Sequence, residues 1–298
     1  MMRDKTTLIF ILLAALIFST MEVALKLAGS TLDAFQITFL RFLIGGLFLL
    51  PFAVHERRGM TAGGIAPIAP KIWLYMILLG AACVPFSMVF FQLGVVHSNA
   101  STAAVIFCCN PVFTMIFSHV LTKDDKMNAR KGVCLLIGMI GIVLMIRPWQ
   151  IQPGNTAEGA IFSVIAAFAF ALYSVLGTKT LAKTGVFTQT SSAFIFGSLM
   201  LLPILLILGK PIVQGVSANL PLILYVSFVV TGAGYLLYFL IIRRSGAVSA
   251  SVVFFLKPVL APIIAVIILR EQITWNILAG IAFILIASWR LLYHKPRN

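Results

Sequence analysis

Again and again the chain runs for about 20 residues with scarcely a charge, and that recurrence narrows the available folds more than any motif does. A helix needs roughly 20 mainly apolar residues to cross a hydrocarbon core of about 30 Å. Ten such blocks are legible, at 7–28, 32–53, 72–94, 99–121, 129–147, 158–178, 187–208, 220–242, 248–269 and 275–293. Of the 298 residues, 61% are hydrophobic and only 10% are charged, whereas a soluble domain carries about a quarter charged residues to cover its surface. Lipid is therefore the expected solvent. Lipid supplies no hydrogen-bond partners, so a spanning segment must be a helix or part of a closed barrel. Barrel strands would read as alternating segments of about ten residues, and these long runs do not alternate. The expectation is an all-α polytopic membrane protein.

The net charge of +14 would suggest nucleic acid in a soluble chain, but the placement of the basic residues points to a bilayer and away from nucleic acid. Orientation follows the Lys/Arg excess of short loops. With the N-terminus inside, sixteen of the 22 basic residues fall in cytoplasmic segments, against Lys26, Arg147, Lys210 and Arg270 outside. Arg41 and Lys257 lie within helices. Both termini are thus expected in the cytoplasm and the chain in the cytoplasmic membrane. The basic start "MMRDKTT" precedes an apolar run too long for a cleaved signal, and Glu22 and Lys26 stand where a small-residue cleavage motif belongs. Cys83, Cys108, Cys109 and Cys134 fall inside helices without C-x-x-C spacing, as packing residues do.

The chain also repeats itself. At a constant shift of 147, residues 100–124 align with 247–271 and share Ala100, Ala103, Val105, Phe107, Pro111, Val112 and Ile116, while Lys123-Asp124 meets Arg270-Glu271. Upstream, "AALIF" (14–18) meets "AAFAF" (166–170) at a shift of 152. Each copy then holds five helices. Because five is odd, the second copy must enter the membrane from the opposite side, giving two inverted five-helix repeats, the architecture of many secondary transporters. The expected organisation is a first repeat at 1–147, a linker at 148–157, and a second repeat with a short basic tail at 158–298.

The stretches "LRFLIGGLFLLP" (40–51), "LLGAACVPFSMVFFQLGVVHSNASTAAVIFCCNPVFTMIFSHVLTKDD" (78–125) and "GYLLYFLIIRRSGAVSASVVFFLKPVLAPIIAVIILREQITWNILAG" (234–280) resemble the two repeats of the EamA family of the drug/metabolite transporter superfamily. The most specific parts are Arg41, Pro111, Pro258, and Glu271 ahead of Gly280. Two positions depart: the usual aromatic-glycine pair of helix one reads Phe18-Ser19, and the first-half glutamate reads Asp124-Asp125. The resemblance implies a ten-helix carrier with a central cavity, moving small metabolites or amino acids, usually outward.

Lys257 stands out because an ionised side chain in mid-helix costs roughly 2.5 kcal/mol or more in lipid, so it must face protein or water. Its repeat counterpart, Asn110, is also polar and also precedes a proline. Pro111 and Pro258 each remove a backbone donor and are expected to break their helices at the cavity. Lys257 either draws an anionic solute group, with Asn110 opposite, or is a structural lysine permanently paired. Glu22 either pairs with Lys26 four residues on and snorkels outward, or faces the cavity as a proton carrier. Arg41 reads as a structural charge tying carbonyls or helix ends together. Tyr173, Tyr235, Tyr238 and Gln92 bring polar tips into apolar helices and suggest an amphipathic cavity. The small-residue runs at 99–104, 138–141 and 232–234 would let helices approach closely.

Catalytic and nucleotide motifs such as H-E-x-x-H, the P-loop and G-x-S-x-G are missing from the sequence, so neither an enzyme nor a pump driven by its own ATPase is expected, and no metal or cofactor. The favoured function is a secondary transporter of a small metabolite, an amino acid or related organic solute, working outward by alternating access with a proton or counter-substrate as coupling partner. A polytopic enzyme, a channel, and a multidrug or organic-anion carrier are the alternatives.

Overall fold

The computed structural model describes residues 5–122, 129–146, 154, 156–269 and 275–293. These residues form helices joined by short turns, with no strand among them. The pairs Lys123-Asp124 and Arg270-Glu271 and most of the linker at 148–157 lie outside the described residues.

The first span is α1 (Lys5–Ser19) and α2 (Met21–Ala28). It bends at Thr20, where hydroxyls compete for backbone carbonyls: Ser19 donates to Ala15 O at 2.6 Å and Thr20 to Ile17 O at 2.7 Å. The next helix, α3 (Ala34–Ala62), starts on a capping box in which the Asp33 side chain accepts from the backbone and Gln36 reaches back. It outruns its apolar stretch by nine residues beyond the expected end at 53. The segment after Ala53 lacks strong helix breakers other than Gly59, so hydropathy marks the lipid boundary and not the helix end. The third span comprises α4 (Pro70–Ala81), a π-helical turn (Ala82–Met88) that absorbs Pro85, and α5 (Val89–Val96). After it come α6 (Ala100–Phe107), α7 (Asn110–Leu121), α8 (Ala129–Ile146), α9 (Ala157–Thr184) and α10 (Val186–Ile207).

The last part of the chain holds α11 (Leu220–Leu224), a second π-helical stretch (Tyr225–Gly234), α12 (Tyr235–Ser251), α13 (Val253–Leu269) and α14 (Trp275–Tyr293). Gly246 lies inside α12 with φ 81°, a conformation open to glycine because it lacks Cβ. The chain turns there, and Ala247–Ser251 is a short helical piece ahead of α13. The helix expected to start at 248 is therefore interrupted at Val252.

Among the described residues, seven helical segments are long and apolar enough to cross a membrane: Lys5–Ala28, Ala34–Ala62, Pro70–Val96, Thr102–Leu121, Ala157–Thr184, Val186–Ile207 and Ser217–Ser251. Shorter apolar helices cover Gly132–Leu144 and Leu278–Ala287. Polarity is inverted relative to a soluble protein. Leu12, Leu16, Phe86, Val120, Leu136 and Ile161 are more than half exposed, while Glu22, Arg41, Gln92, Asn110 and Lys257 are buried. This arrangement suits a lipid exterior, and the protein is a multi-pass membrane protein.

Glycines set the closest helix contacts. A Cβ on Gly197 of α10 would lie 2.5 Å from Gly80 O of α4, and one on Gly45 of α3 would lie 2.9 Å from Ser227 O. Gly141 of α8 sits against Gly280 O of α14 in the same way, at 2.7 Å. Residues at the two repeat shifts also touch. Phe42 and Phe194, 152 positions apart, have ring centroids 4.8 Å apart. Phe107 and Phe254, 147 apart, pack at 5.5 Å, and Tyr235 OH donates to the sulfur of Met88, also 147 away, at 3.0 Å.

Gly197→Ala should lower thermal stability by about 1–3 kcal/mol through overpacking, read by thermal unfolding of detergent-solubilised protein. Gly59→Ala, where nothing lies within 4 Å of the new Cβ, should be neutral or stabilising.

Candidate functional site

At the centre of the helices stands one buried ion pair. Lys257 in the second turn of α13 reaches across to Glu22 of α2, its Nζ donating to Glu22 Oε1. Both side chains are essentially inaccessible. Burial of two charges costs several kcal/mol per ion unless each is matched, and here each matches the other. The rings of Phe91 and Phe107 flank the ammonium, with centroids 5.4 and 5.3 Å from Nζ, close enough for their negative faces to attract it.

Glu22 is buried against Lys257 and does not reach the lipid interface. The neighbouring Lys26 instead donates to Val95 O at 3.0 Å and Ser98 O at 2.6 Å, where the C-terminal carbonyls of α5 offer a cation its favoured place. The second carboxylate oxygen of Glu22, Oε2, is buried with no hydrogen-bond partner.

Asn110, the counterpart of Lys257, uses its amide differently from the expectation that it stands opposite. Nδ2 donates to Ala167 O of α9 at 3.1 Å, and Oδ1 accepts from Thr114 at 3.1 Å. It ties α7 to α9. Pro111 follows it at the start of α7, directly after the interruption at Cys108 and Cys109. In the second half the interruption falls at Val252, six residues ahead of Pro258, and α13 continues through that proline. The break thus precedes both prolines, but at different distances.

The three tyrosines are buried side by side. Tyr235 bonds Met88, Tyr238 OH lies 3.1 Å from Ser174 Oγ, and the Tyr173 hydroxyl lies against the Cys83 thiol. Gln92 donates to Leu25 O at 3.2 Å and leaves its Oε1 unpartnered. Arg41 is buried with its guanidinium 4.6 Å from the Phe42 centroid.

Sequence reasoning missed the aromatic wall. Phe18 packs on Phe254, Tyr235 and Tyr238, and Phe170 packs on Phe107, Phe254 and Tyr173, at 5.2–6.4 Å. A phenylalanine in an apolar helix carries no sign of which way it faces. The identities of Phe107 with Phe254 and of Phe18 with Phe170 in the repeat alignment were the usable signals. Also missed was Glu56, whose carboxylate caps α10 by accepting from Val186 N and Thr188 N, both at 2.9 Å. Gly185, with φ 86°, lets the chain pass so close that a Cβ would collide with this carboxylate.

The fold and site define a multi-pass helical membrane protein that buries charges and polar tips among aromatic rings behind an apolar exterior. More particularly, the sequence profile of the EamA-like transporter family matches residues 5–147 and again 157–293. The chain belongs to the EamA-like transporter family. It is 34% identical to an uncharacterized transporter of Clostridium kluyveri over 95% of this chain and 92% of that one. It is 26% identical to an uncharacterized transporter of Archaeoglobus fulgidus over 91% of each chain. It is 22% identical to a Rickettsia prowazekii protein named as an S-adenosylmethionine uptake transporter, over 96% of this chain and 92% of that one. A solved crystal structure with 18% identity superimposes with a TM-score of 0.74 over 99% of both chains, a likeness of fold.

Lys257→Met should strand a buried carboxylate and cost about 3–5 kcal/mol, and Glu22→Gln alone should be destabilising as well. The double variant should recover much of the loss. Thermal unfolding of the three proteins checks this; a double variant no more stable than Lys257→Met would contradict the pairing.

Proposed function

We propose that this chain is a secondary carrier of the cytoplasmic membrane, with ten transmembrane helices in two inverted five-helix repeats, 1–147 and 158–298, and both termini inside. It moves a small metabolite, an amino acid or related organic solute, by alternating access. The observation that carries the reading is the position of the Lys257–Glu22 pair, against the Phe107 ring that packs on its own repeat counterpart, Phe254.

Two copies related by a two-fold axis bring a residue against its own counterpart only near that axis. Phe42 with Phe194, Phe107 with Phe254 and Met88 with Tyr235 meet that condition. Contacts off the axis should occur twice. Phe18 with Phe254 answers Phe170 with Phe107, and Gly45 against Ser227 answers Gly197 against Gly80. These pairings support inverted repeats with the charges at their meeting point, where rocking one half against the other would open the site to each side in turn.

In this reading Lys257 supplies the positive charge that draws an anionic group inward, and Glu22 supplies the opposite charge. Asn110, Tyr173, Tyr235, Tyr238 and Gln92 line the site. Glu22 pairs with Lys257 and feels the charge of Arg41, and it is the group through which we propose a proton or counter-substrate is coupled. Export is the direction we propose. Uptake is the second reading, favoured by the Rickettsia relatives named as uptake transporters.

Purified protein in liposomes should show saturable flux of an amino acid or small organic acid, accelerated by unlabelled solute on the opposite side. A channel would show no such acceleration. Lys257→Ala should lose carboxylate-bearing solutes by about tenfold or more, the factor equal to about 1.4 kcal/mol; unchanged flux would remove Lys257 from the site. Glu22→Gln should abolish stimulation by a pH gradient, and full retention would exclude it as the coupling group.

A further inference from the structure

Read from sequence, Arg41 is a structural charge that ties carbonyls together, yet the structure gives it no carbonyl partner. Its side chain is fully buried. Nη1 meets only the thioether of Met21, at 3.6 Å, and Nε and Nη2 have no hydrogen-bond partner. Those two nitrogens form one edge of the planar guanidinium, with N–H bonds directed the same way. That edge is the fork that receives both oxygens of a carboxylate.

The charge balance points to the same ligand. Among the described residues the buried charged groups are Glu22, Arg41 and Lys257, two cations against one carboxylate. Lys257 is already matched by Glu22, so the unmatched charge is that of Arg41. A ring face and a sulfur are weak substitutes for an anion when a full charge is out of water. The surroundings fit a solute as well as a counter-ion. Arg41 is an electrostatic neighbour of Glu22, whose Oε2 is an unused acceptor. Arg41 and Tyr173 share Cys83 as a neighbour, the Tyr173 hydroxyl lying against its thiol.

We propose that Arg41 is the seat of the solute carboxylate, its Nε and Nη2 binding both oxygens, and that Glu22 Oε2 receives the amino group of solutes that carry one. The inference rests on the carrier reading and narrows it. The transported class is small solutes with a free carboxylate, and Lys257 draws the anion inward without being its final partner. Amides of the same solutes lack the second anionic oxygen and are excluded.

The test is arginine modification of the intact carrier in liposomes with phenylglyoxal, followed site by site by peptide mass spectrometry. Exposed Arg58 reports the free reagent. The probes are pooled L-α-amino acids, the pooled 2-oxo acids of the same side chains, and the pooled α-amides. The proposal expects Arg41 to be modified as the site opens. It expects a carboxylate pool at several times its Kd to slow that modification by about fivefold, with Arg58 unaffected and the amides without effect. Arg41 that never reacts is a structural residue, and Arg41 that no pool protects is solvated by water alone. Protection by amides equal to that by acids removes the carboxylate fork. Each of these three results overturns the proposal. A carrier that transports normally while giving one of them loses only this inference, whereas absence of counter-stimulated flux with Arg41 protected argues against the carrier reading instead.

Discussion

A lysine and a glutamate that neutralise each other inside an apolar helical protein are the constraint on which the rest of the structure depends. Neither charge is tolerable in hydrocarbon, and each lies on a different helix, Glu22 on α2 and Lys257 on α13. Those helices must meet for either to be buried. Around the pair lie ring faces that attract an ammonium, amide tips that donate to backbone carbonyls, and buried thiols. Arg41 adds a second cation to this centre, with an open fork and no protein anion to fill it. A centre of this composition is more than is required for helices to pack, since matched hydrophobic residues generally replace a buried ion pair without loss of stability.

The helices that hold this centre are shaped by two kinds of local departure. Glycine allows backbone-to-backbone approach at Gly80 with Gly197 and at Gly141 with Gly280, contacts that make up for the weakness of the hydrophobic effect between helices in lipid. The π-helical turns at Ala82–Met88 and Tyr225–Gly234, the interruption at Cys108–Cys109 and the turn at Gly246 bend the helices nearest the centre.

How much of this was legible depends on the physical signal each feature leaves in a sequence. Long apolar runs located the helices, because lipid demands them, but missed their ends: α3 continues nine residues past its apolar stretch, since water and lipid both accept a helix. Lys257 and Glu22 were visible as rare charges in apolar segments. Their pairing was not, because a sequence carries no distance between α2 and α13. Asn110 was legible as polar and not as a tie to Ala167 O, and the break ahead of Pro258 lay closer to Val252 than the proline suggested. The aromatic wall and the Glu56 cap on α10 left almost no trace. Phenylalanine facing a site and phenylalanine facing lipid are written alike, and an exposed-looking glutamate in "HERRG" has no mark of a partner 130 residues away.

The central claim is that the Lys257–Glu22 position is sealed from both sides in the structure described and is opened to each side in turn. The most direct measurement replaces Cys83, Cys108, Cys109 and Cys134 by alanine, places a single cysteine at the site, Lys257→Cys with Glu22→Gln to remove the orphaned charge, and treats right-side-out and inside-out vesicles with a membrane-impermeant, positively charged thiol reagent. The account predicts labelling from both sides. Labelling from one side alone, or from neither, would contradict it.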